Sequence, residues 1–434
     1  MDNPPAKKTG NSSRSDIISN LPSNIIDNIL SCLPIQEAVA TSILSKEWRF
    51  KWRYLSKLVF DKAFYWTSIK RSTGNPSNNL FFLNMYRVLL VHHGPILNFT
   101  FRVPLLESCD EIDRLMLYLS EKDVQEIFFM IEGNERYRLP SYLFSCVTLR
   151  RLTLSSCTFV VPLAFQGFVK LISFTLQSVH LSTNIFETFI PKCPLLERLS
   201  IQECDEFDNL DIDIPYLKFF EFSGDFKSLC FRKPCQHLST VIFDGDLDAC
   251  EPTKLLEYLP VVKHLRLGLS FVHNMLHETM PKKLSLGCLK VLELPDICFW
   301  RAGDISTAFS LILSSPNLEK LEIGSVGLHR RELATEFLEV KDPLANELKK
   351  LRVVKIKLGY TKAIKPELEF IKFLLAGSVE LEKMFIQPDE RTVAKEGLKI
   401  LKRITRFQRS SKKAEIVYLN TDDDDEVGSD GNKG

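Results

Sequence analysis

The sequence has little that points to a membrane protein, a secreted protein or a nucleic-acid-binding protein. It contains no run of 18 or more apolar residues, so no membrane span is predicted. Its first residues, MDNPPAKKTGNSSRSD, are polar and lack the apolar core of a signal peptide. Lysine and arginine total 56 against 55 aspartate and glutamate residues, which argues against broad electrostatic affinity for nucleic acid or anionic lipid. We expect a protein of the cytosol or nucleus that binds neither nucleic acid nor a membrane.

The motifs of common enzyme classes and metal sites are also missing. The sequence has no Gly-x-x-x-x-Gly-Lys phosphate loop, Gly-x-Gly-x-x-Gly fingerprint, Gly-x-Ser-x-Gly elbow or His-Glu-x-x-His zinc pair. Its 11 cysteines include no Cys-x-x-Cys pair, which favours reduced core residues over a disulfide or metal framework. His273 and His277 have the i, i+4 spacing of zinc ligands, but no third ligand accompanies them. We therefore predict no catalytic residue, no metal and no cofactor.

The segment from Leu21 to Leu55 has the pattern of three short helices. Pro22 and Pro34 each stand where a helix begins, because the first turn has no use for the N–H that proline lacks. Ser45 suits the N-cap of a third helix that carries two tryptophans. Apolar residues recur every three or four positions: Ile25, Ile26, Ile29, Leu30, Leu33, Val39, Ile43 and Leu44. So short a segment cannot bury these side chains, each worth roughly 1.5 to 3 kcal/mol, without a further surface to pack on.

The doubled Leu-Pro and the closing Ser-Lys-x-Trp-Arg-x-x-Trp run resemble the plant F-box. In that family the module docks a Skp-type adaptor and so ties a substrate receptor to a cullin-RING ubiquitin ligase. The resemblance implies recruitment of a substrate and not catalysis. It carries adaptor contact onto Leu21, Pro22, Ile25, Ile29, Leu30, Leu33, Pro34, Leu44 and Trp48. The sequence does not tell which of these face an adaptor and which face the F-box interior. A helical cap on the next domain is the alternative.

From about residue 94 to 388 apolar residues recur at positions one, four and six of a unit, as in Leu149, Leu152 and Leu154. This is the leucine-rich-repeat template. The first positions of the units are Ile96, Val124, Leu149, Leu171, Leu196, Leu217, Leu238, Val262, Leu289, Leu318, Leu348 and Leu381. Stacked units of this kind bury the apolar side of each strand against the next layer. The sequence therefore predicts an α/β fold whose solenoid has a curved, largely parallel sheet.

The polar residues between these apolar positions are expected on the concave side of the sheet, where solenoids usually bind. Three repeats supply the candidate contacts for a protein substrate: Arg150, Arg151, Thr153, Glu197, Arg198, Ser200, Lys263, His264 and Arg266. For any one of them, a solvated surface position is the alternative interpretation.

Residues 347–419 resemble the plant FBD domain, which commonly ends F-box proteins with leucine-rich repeats. A first helix is expected along ELEFIKFLLAGS, with Leu368, Ile371, Leu374 and Leu375 on one face. A second helix carries Leu398, Leu401, Ile404 and Phe407 on one face, and a closing strand is expected near Ile416. We expect the module to cap the open edge of the solenoid. Lys395, Lys399, Lys402 and Arg406 form a basic stripe on the second helix, which is either a nuclear-import or anion-binding patch or a solvated helix face.

These patterns predict a chain organised around recruitment. The expected parts are a disordered segment 1–15, an F-box 16–62, a connecting segment 63–93, repeats 94–346, an FBD domain 347–419 and a disordered acidic tail 420–434. The leading hypothesis is a non-catalytic substrate-recognition subunit of a Skp-cullin-F-box ubiquitin ligase, with a Skp-type adaptor and an unidentified protein substrate as partners. The alternatives are a leucine-rich-repeat scaffold without ligase coupling and a receptor that needs a small molecule to bind its target.

Overall fold

The computed structural model describes residues 18, 20–70, 78–104, 110–133, 136–181, 184–204, 207–224, 226–245, 252–275, 285–326, 348–360 and 365–419. The expectations for segment 1–15, for the tail 420–434 and for the centre of the predicted connection, 71–77, lie outside these residues. The chain divides into two compact units, Met1–Thr158 and Phe159–Gly434, which are described in turn.

The first unit contains five α-helices and a parallel sheet among its described residues. The helices are α1 (Ser23–Ser31), α2 (Ile35–Ala40), α3 (Lys62–Lys70), α4 (Asn78–Val91) and α5 (Asp110–Ser120). The strands are β1 (Lys57–Phe60), β2 (Asn98–Pro104), β3 (Glu126–Glu132), β4 (Tyr137–Arg138), β5 (Arg151–Ser155) and, at the unit boundary, β6 (Cys157–Phe159). Short 3-10 helices span Thr41–Ile43, Lys51–Tyr54 and Ser141–Ser145. Strands β1, β2, β3 and β5 pair parallel in that order, and β4 pairs parallel with β6.

Strand β1 begins the repeats earlier than the sequence analysis placed them. Leu55, Leu58 and Phe60 have the one, four, six spacing, and all three are buried. Leu58 pairs with Phe99 of β2, so β1 is a repeat strand directly after the F-box helices. The stretch expected as a connecting segment, 63–93, contains most of α3 and all of α4. Phe81 of α4 packs against Phe101 of β2 with ring centroids 5.9 Å apart.

The second unit carries the longer series of repeats. Its helices are α6 (Ile185–Thr188), α7 (Pro252–Glu257), α8 (Leu269–Asn274), α9 (Ala302–Leu313), α10 (Lys365–Gly377) and α11 (Ala394–Ile404), and a 3-10 helix spans Ile190–Lys192. Its strands are β7 (Ser173–Gln177), β8 (His180–Leu181), β9 (Arg198–Gln202), β10 (Phe207–Ile212), β11 (Phe219–Ser223), β12 (Phe226–Phe231), β13 (Thr240–Asp244), β14 (His264–Leu267), β15 (Val291–Ile297), β16 (Lys320–Ser325), β17 (Val353–Lys357), β18 (Lys383–Gln387) and β19 (Glu415–Tyr418).

The main sheet of this unit stacks ten strands in the order β7, β9, β11, β13, β14, β15, β16, β17, β18, β19, each parallel to the next. The fourth positions of successive repeats pair in one row: Phe174, Leu199, Phe220, Val241, Leu265, Leu292, Leu321, Val354 and Met384. Every one of these side chains is buried. The prediction of an α/β fold built from stacked leucine-rich repeats on a parallel sheet is confirmed.

One predicted repeat is wrong in register. Leu348, Leu351 and Val353 were expected as its apolar positions, but Val353 is only half-buried and starts β17. The buried positions are Leu351, Val354 and Ile356. Leu348 misleads because it stands three residues before Leu351 and is itself buried, so two overlapping sets satisfy the template.

The C-terminal helices match the expected positions, but only one has the expected inner face. In α10 the predicted residues Leu368, Ile371, Leu374 and Leu375 are buried. In α11 the buried residues are Gly397, Ile400 and Ile404, whereas Leu398 was expected inside and is exposed. Gly397 allows α11 to approach β19, since a Cβ there would lie 2.7 Å from the Tyr418 hydroxyl. The closing strand is β19, which pairs parallel with β18.

The expectation that the cysteines are core residues is correct only for some of them. Cys146, Cys157, Cys193 and Cys298 are buried, whereas Cys32, Cys230 and Cys288 are exposed. Cys204, expected in the core with Cys157, is half-buried, and its thiol lies 3.4 Å from the Gln202 carbonyl oxygen. Burial of a cysteine depends on its position within a repeat, which its spacing from other cysteines does not reveal.

Candidate functional site

Helix α1 carries two pairs of apolar residues, of which one is buried and the other is exposed. Its N-cap is Pro22, whose carbonyl oxygen accepts hydrogen bonds from the backbone N–H groups of Ile25 and Ile26. Ile26 and Leu30 lie one turn apart and are fully buried. Ile25 and Ile29, also one turn apart, are 39% and 38% exposed. The helix therefore buries one pair within the first unit and presents the other pair to solvent.

The chain after α1 exposes further apolar side chains. Pro34 is the N-cap of α2, in which Ile35 and Ala38 are buried. The 3-10 helix Thr41–Ile43 follows at once, and Ile43 is 89% exposed. Leu44, the next residue, is 47% exposed. Such large apolar side chains, exposed together in a short segment, suit a protein partner that covers them.

The expected third helix takes a different form. Ser45 does not act as an N-cap, since its hydroxyl donates to the Glu47 carboxylate at 3.1 Å. The chain forms a turn and then the 3-10 helix Lys51–Tyr54. Phe50 between them has a left-handed backbone with φ of 70°, which interrupts the α-helical ladder. The Arg53 guanidinium lies 3.9 Å from the centroid of the Phe50 ring.

The structure divides the nine predicted adaptor contacts by their exposure. Leu30 and Trp48 are buried, so they belong to the interior of the module. Leu21, Leu33 and Pro34 are half-buried. The exposed members are Pro22, Ile25, Ile29 and Leu44. Ile43, which the helical pattern included but the predicted contact set did not, is exposed beside Leu44. We call Ile25, Ile29, Ile43 and Leu44 the exposed apolar set.

The candidate substrate contacts of the first unit lie at β5. Arg151 is exposed and donates a hydrogen bond to Glu126 of the neighbouring β3. Thr153 is half-buried two residues along the same strand face. Arg150 is exposed just before the strand, where its backbone N–H donates to the Gln125 carbonyl oxygen at 2.7 Å.

In the second unit, the contacts predicted at β9 are already engaged with their neighbours. Glu197 accepts from the Lys218 ammonium at 2.8 Å. Arg198 is exposed and stacks over the ring of Phe219, 4.1 Å from its centroid. Ser200 is buried, and its hydroxyl donates to Glu221 at 2.7 Å. Ser200 therefore positions Glu221 and does not itself face solvent.

The contacts predicted at β14 join a charged network with β15. His264 Nε2 lies 2.9 Å from Glu293 Oε1, and Arg266 Nη1 lies 3.4 Å from Glu293 Oε2. Burial acts to raise the pKa of Glu293, but the His264 hydrogen bond and the charges of His264, Arg266 and Lys320 outweigh it and lower the pKa. Lys263 is exposed before the strand.

Next to this network the strand face has a pocket of about 160 Å³ lined by charged residues, among them Arg266, Glu322 and Lys355. Gly324 and Pro295 also line the pocket, and the absence of a side chain on Gly324 allows the Pro295 carbonyl group to approach the strand closely, because a Cβ there would clash with it. Lys355 Nζ lies 3.6 Å from Glu322 Oε1. The strand face thus offers paired charges around a recess of side-chain size.

The described residues form neither a metal-binding cluster nor a membrane-spanning helix. In the described part of the chain no three His, Cys, Asp or Glu side chains come together as a metal site would require. His277, the second histidine of the zinc-like spacing, lies outside the described residues. None of the described helices has the length and apolar character needed to cross a membrane.

Two family models match the chain at the regions described above. The F-box domain model matches residues 18–60. The model described as "FBD-associated F-box protein At5g56370, LRR repeats" matches residues 112–323. The helical module has one buried and one exposed set of apolar residues, and stacked repeats follow it. Together with the two matches, these features define an F-box protein with leucine-rich repeats.

Relatives that match over nearly their whole length identify the family more narrowly. F-box/FBD/LRR-repeat protein At1g13570 of Arabidopsis thaliana is 30% identical over 417 residues, which cover 93% of this chain and 98% of that protein. F-box/FBD/LRR-repeat protein At5g56420 of the same plant is 24% identical over 455 residues, covering 93% and 99%. The chain belongs to the F-box/FBD/LRR-repeat proteins.

Proposed function

We propose that this chain is a substrate-recognition subunit of a Skp-cullin-F-box ubiquitin ligase. Its F-box docks a Skp-type adaptor, and its repeats hold a protein target for ubiquitin transfer by other subunits. The observation that carries the proposal is the outward position of Ile25, Ile29 and Leu44 in a segment that the F-box model matches. In this role the chain is non-catalytic and acts in the cytosol or nucleus.

The exposed apolar set supports a protein partner, because removing apolar surface from water lowers the free energy. Ile25 and Ile29 form one row on α1, since four residues make about one helical turn. Covering them releases roughly 25 cal/mol for each Å² of apolar area. Ile26, Leu30 and Trp48 keep their own contacts inside the module and hold this row in place.

The test is adaptor binding by the purified full-length protein and by an Ile25→Asp, Ile29→Asp variant. We expect the variant to bind the adaptor at least about 100-fold more weakly, because central contacts each contribute about 2 kcal/mol. The matched control is Leu90→Asp, which places the same charge at an exposed leucine of α4 and leaves adaptor binding unchanged. Thermal melts of all three proteins check that they are folded.

Equal binding by the intact chain and the double variant would contradict the assignment of this face. No binding by the intact, folded chain would contradict the ligase role itself. The chain would then fit the alternative of an interaction scaffold without ligase coupling.

For the target, the strand face of the second unit favours a polypeptide. Small-molecule sites generally have volumes of roughly 300–1,000 Å³, and the pocket beside Arg266 and Lys355 has about 160 Å³. That volume suits one side chain of a bound protein better than a separate ligand. In a reconstituted ligase with an identified target, Arg266→Glu with Lys355→Glu is expected to reduce ubiquitin transfer at unchanged adaptor affinity. The control Lys170→Glu, at an exposed lysine between strands, is expected to transfer normally.

A further inference from the structure

Helix α11 carries a row of cations opposite its buried face. Lys395, Lys399 and Lys402 lie in α11, and Arg406 lies in the turn directly after it, at spacings of four, three and four residues. This spacing places the three lysines along one side of the helix, with Arg406 following them. All four are exposed. The buried side of α11, formed by Gly397, Ile400 and Ile404, faces the other way. We call these four residues the cationic row.

The cationic row lacks the carboxylate partners that neighbouring surface cations have. On α10, Lys372 pairs with Glu369 at 3.5 Å, and before α11 Arg391 pairs with Asp389 at 2.9 Å. Within the described residues, no member of the cationic row forms an ion pair. Residues 394–413 contain eight lysines and arginines and one glutamate, a net charge of +7, whereas the whole chain has +1. Like charges held this close destabilise the helix unless an anion lies near them.

The compensating charge is present in the same chain. Asp422, Asp423, Asp424, Asp425 and Glu426 follow the last strand, in the tail that lies outside the described residues. Strand β19 ends at Tyr418, whose hydroxyl would lie 2.7 Å from a Cβ on Gly397 of α11. Residues 422–426 begin four and end eight residues after Tyr418, a span of at most about 14 to 29 Å. A helix is about 10–12 Å across, so the segment is long enough to pass from the Gly397 side of α11 to the cationic row. The cationic row is about 16 Å long at 1.5 Å per residue.

We propose that the cationic row of α11 is a docking site for an acidic polypeptide segment, and that its occupant is residues 422–426 of the same chain. A short tether gives the segment an effective concentration in the millimolar range, so modest affinity suffices. An acidic partner arriving in trans binds only by displacing it. Nucleic acid fits the surface less well, because α11 contains no aromatic residue on which bases could stack.

The first test is zero-length carbodiimide cross-linking of the full-length protein, which joins a lysine amine to a carboxylate with loss of water. Mass spectrometry is expected to find cross-links from residues 422–426 to Lys395, Lys399 or Lys402. Raising the salt from 0.05 M to 1 M is expected to abolish them, because the screening length falls to about 3 Å. Cross-links from the tail to lysines throughout the protein, or none at low salt, would contradict the proposal.

The second test uses a fluorescent peptide of ten alternating aspartates and glutamates as a probe in trans. Replacing Asp422–Asp425 by Asn and Glu426 by Gln is expected to tighten probe binding at least tenfold, since the site is vacated. Adding Lys399→Ser, Lys402→Ser and Arg406→Ser is expected to abolish that gain. The control Lys57→Ser, Lys170→Ser and Lys349→Ser removes three other exposed lysines and is expected to keep it.

Equal probe binding with and without the acidic tail would show that residues 422–426 do not occupy the site. Binding of a DNA duplex but not the peptide by the tail-neutralised protein would also overturn the proposal. Neither experiment contains an adaptor, so failure here is distinct from failure of the proposed ligase role.

Discussion

The indole Nε1 of Trp48 donates a hydrogen bond to the backbone carbonyl oxygen of Ile18, 3.0 Å away. This bond joins the Trp48 segment of the F-box to the residues at its beginning. A second link lies nearby, where the Lys51 ammonium donates to the Ser23 hydroxyl at 3.1 Å. Trp48 is therefore a residue that closes the module, and the proposed adaptor face is formed by other side chains.

We predict that Trp48→Phe weakens the F-box fold but not the adaptor interface. Phenylalanine keeps most of the buried aromatic area and loses the bond to Ile18, which costs about 1 kcal/mol. The melting temperature should fall by a few degrees. Adaptor affinity, measured by calorimetry well below the melting temperature, should stay within about twofold. A large loss of affinity by a folded Trp48→Phe protein would place the indole in the interface.

The corrected register of the repeat at β17 predicts which of two alanine variants loses more stability. Ile356 is fully buried, so Ile356→Ala should cost about 2–5 kcal/mol. Val353 is half-buried at the start of the strand, so Val353→Ala should cost about 1 kcal/mol or less. Urea unfolding followed by fluorescence compares the two variants. The opposite order of the two losses would restore the register first predicted from the sequence.

The burial of Glu367 leads to a prediction about how the stability of the protein depends on pH. Its side chain is buried, and burial raises its pKa above the ordinary 4.5, although hydrogen bonds from its own backbone N–H and from Ser325 oppose the change. Between the unfolded and the folded pKa the native protein holds the proton more tightly, so this residue's contribution to stability is lost as pH rises through that window. Glu367→Gln removes the buried charge and keeps an oxygen for the Ser325 hydroxyl, 3.1 Å away.

We therefore expect Glu367→Gln to stabilise the protein at pH 8 by about 1 kcal/mol or more, with the gain shrinking toward pH 4. Melting temperatures across that range measure it. The control is Glu369→Gln on the exposed side of the same helix, which should show no such gain. A Glu367→Gln protein that is less stable than the wild type at pH 8 would contradict the account.

Thiol reactivity should follow burial. Burial raises the pKa of Cys146 and of Cys193 to about 12, so neither is a thiolate at neutral pH. At pH 8 iodoacetamide should modify the exposed Cys32, Cys230 and Cys288 within the native protein. Cys146 and Cys193 should react only after denaturant is added. Mass spectrometry of digested samples checks each position, and early labelling of Cys193 would contradict the packing.

The apolar framework of the repeats could be predicted because the template follows directly from the alternation of strand side chains and their stacking. Leu152 and Leu199 are buried as their spacing requires. The first repeat was missed because two helices separate Leu55 from Ile96, an interval well beyond the ~20 to 29 residues of the template.

The orientation of the F-box side chains could not be predicted. Ile25, Ile26, Ile29 and Leu30 form one broad apolar band in sequence, and the pairs 25 with 29 and 26 with 30 lie only about 100° apart on a helix. Either pair satisfies the pattern of an inner face. Only the packing of the rest of the unit decides that Ile26 and Leu30 turn inward.

The most direct test of the receptor role is assembly of the purified intact chain with a Skp-type adaptor and a cullin, followed by size-exclusion chromatography with light scattering. The proposed receptor role predicts a single complex with one copy of each protein, and its loss when Ile25 and Ile29 are both replaced by Asp. An intact, folded chain that elutes alone in the presence of adaptor and cullin would contradict it.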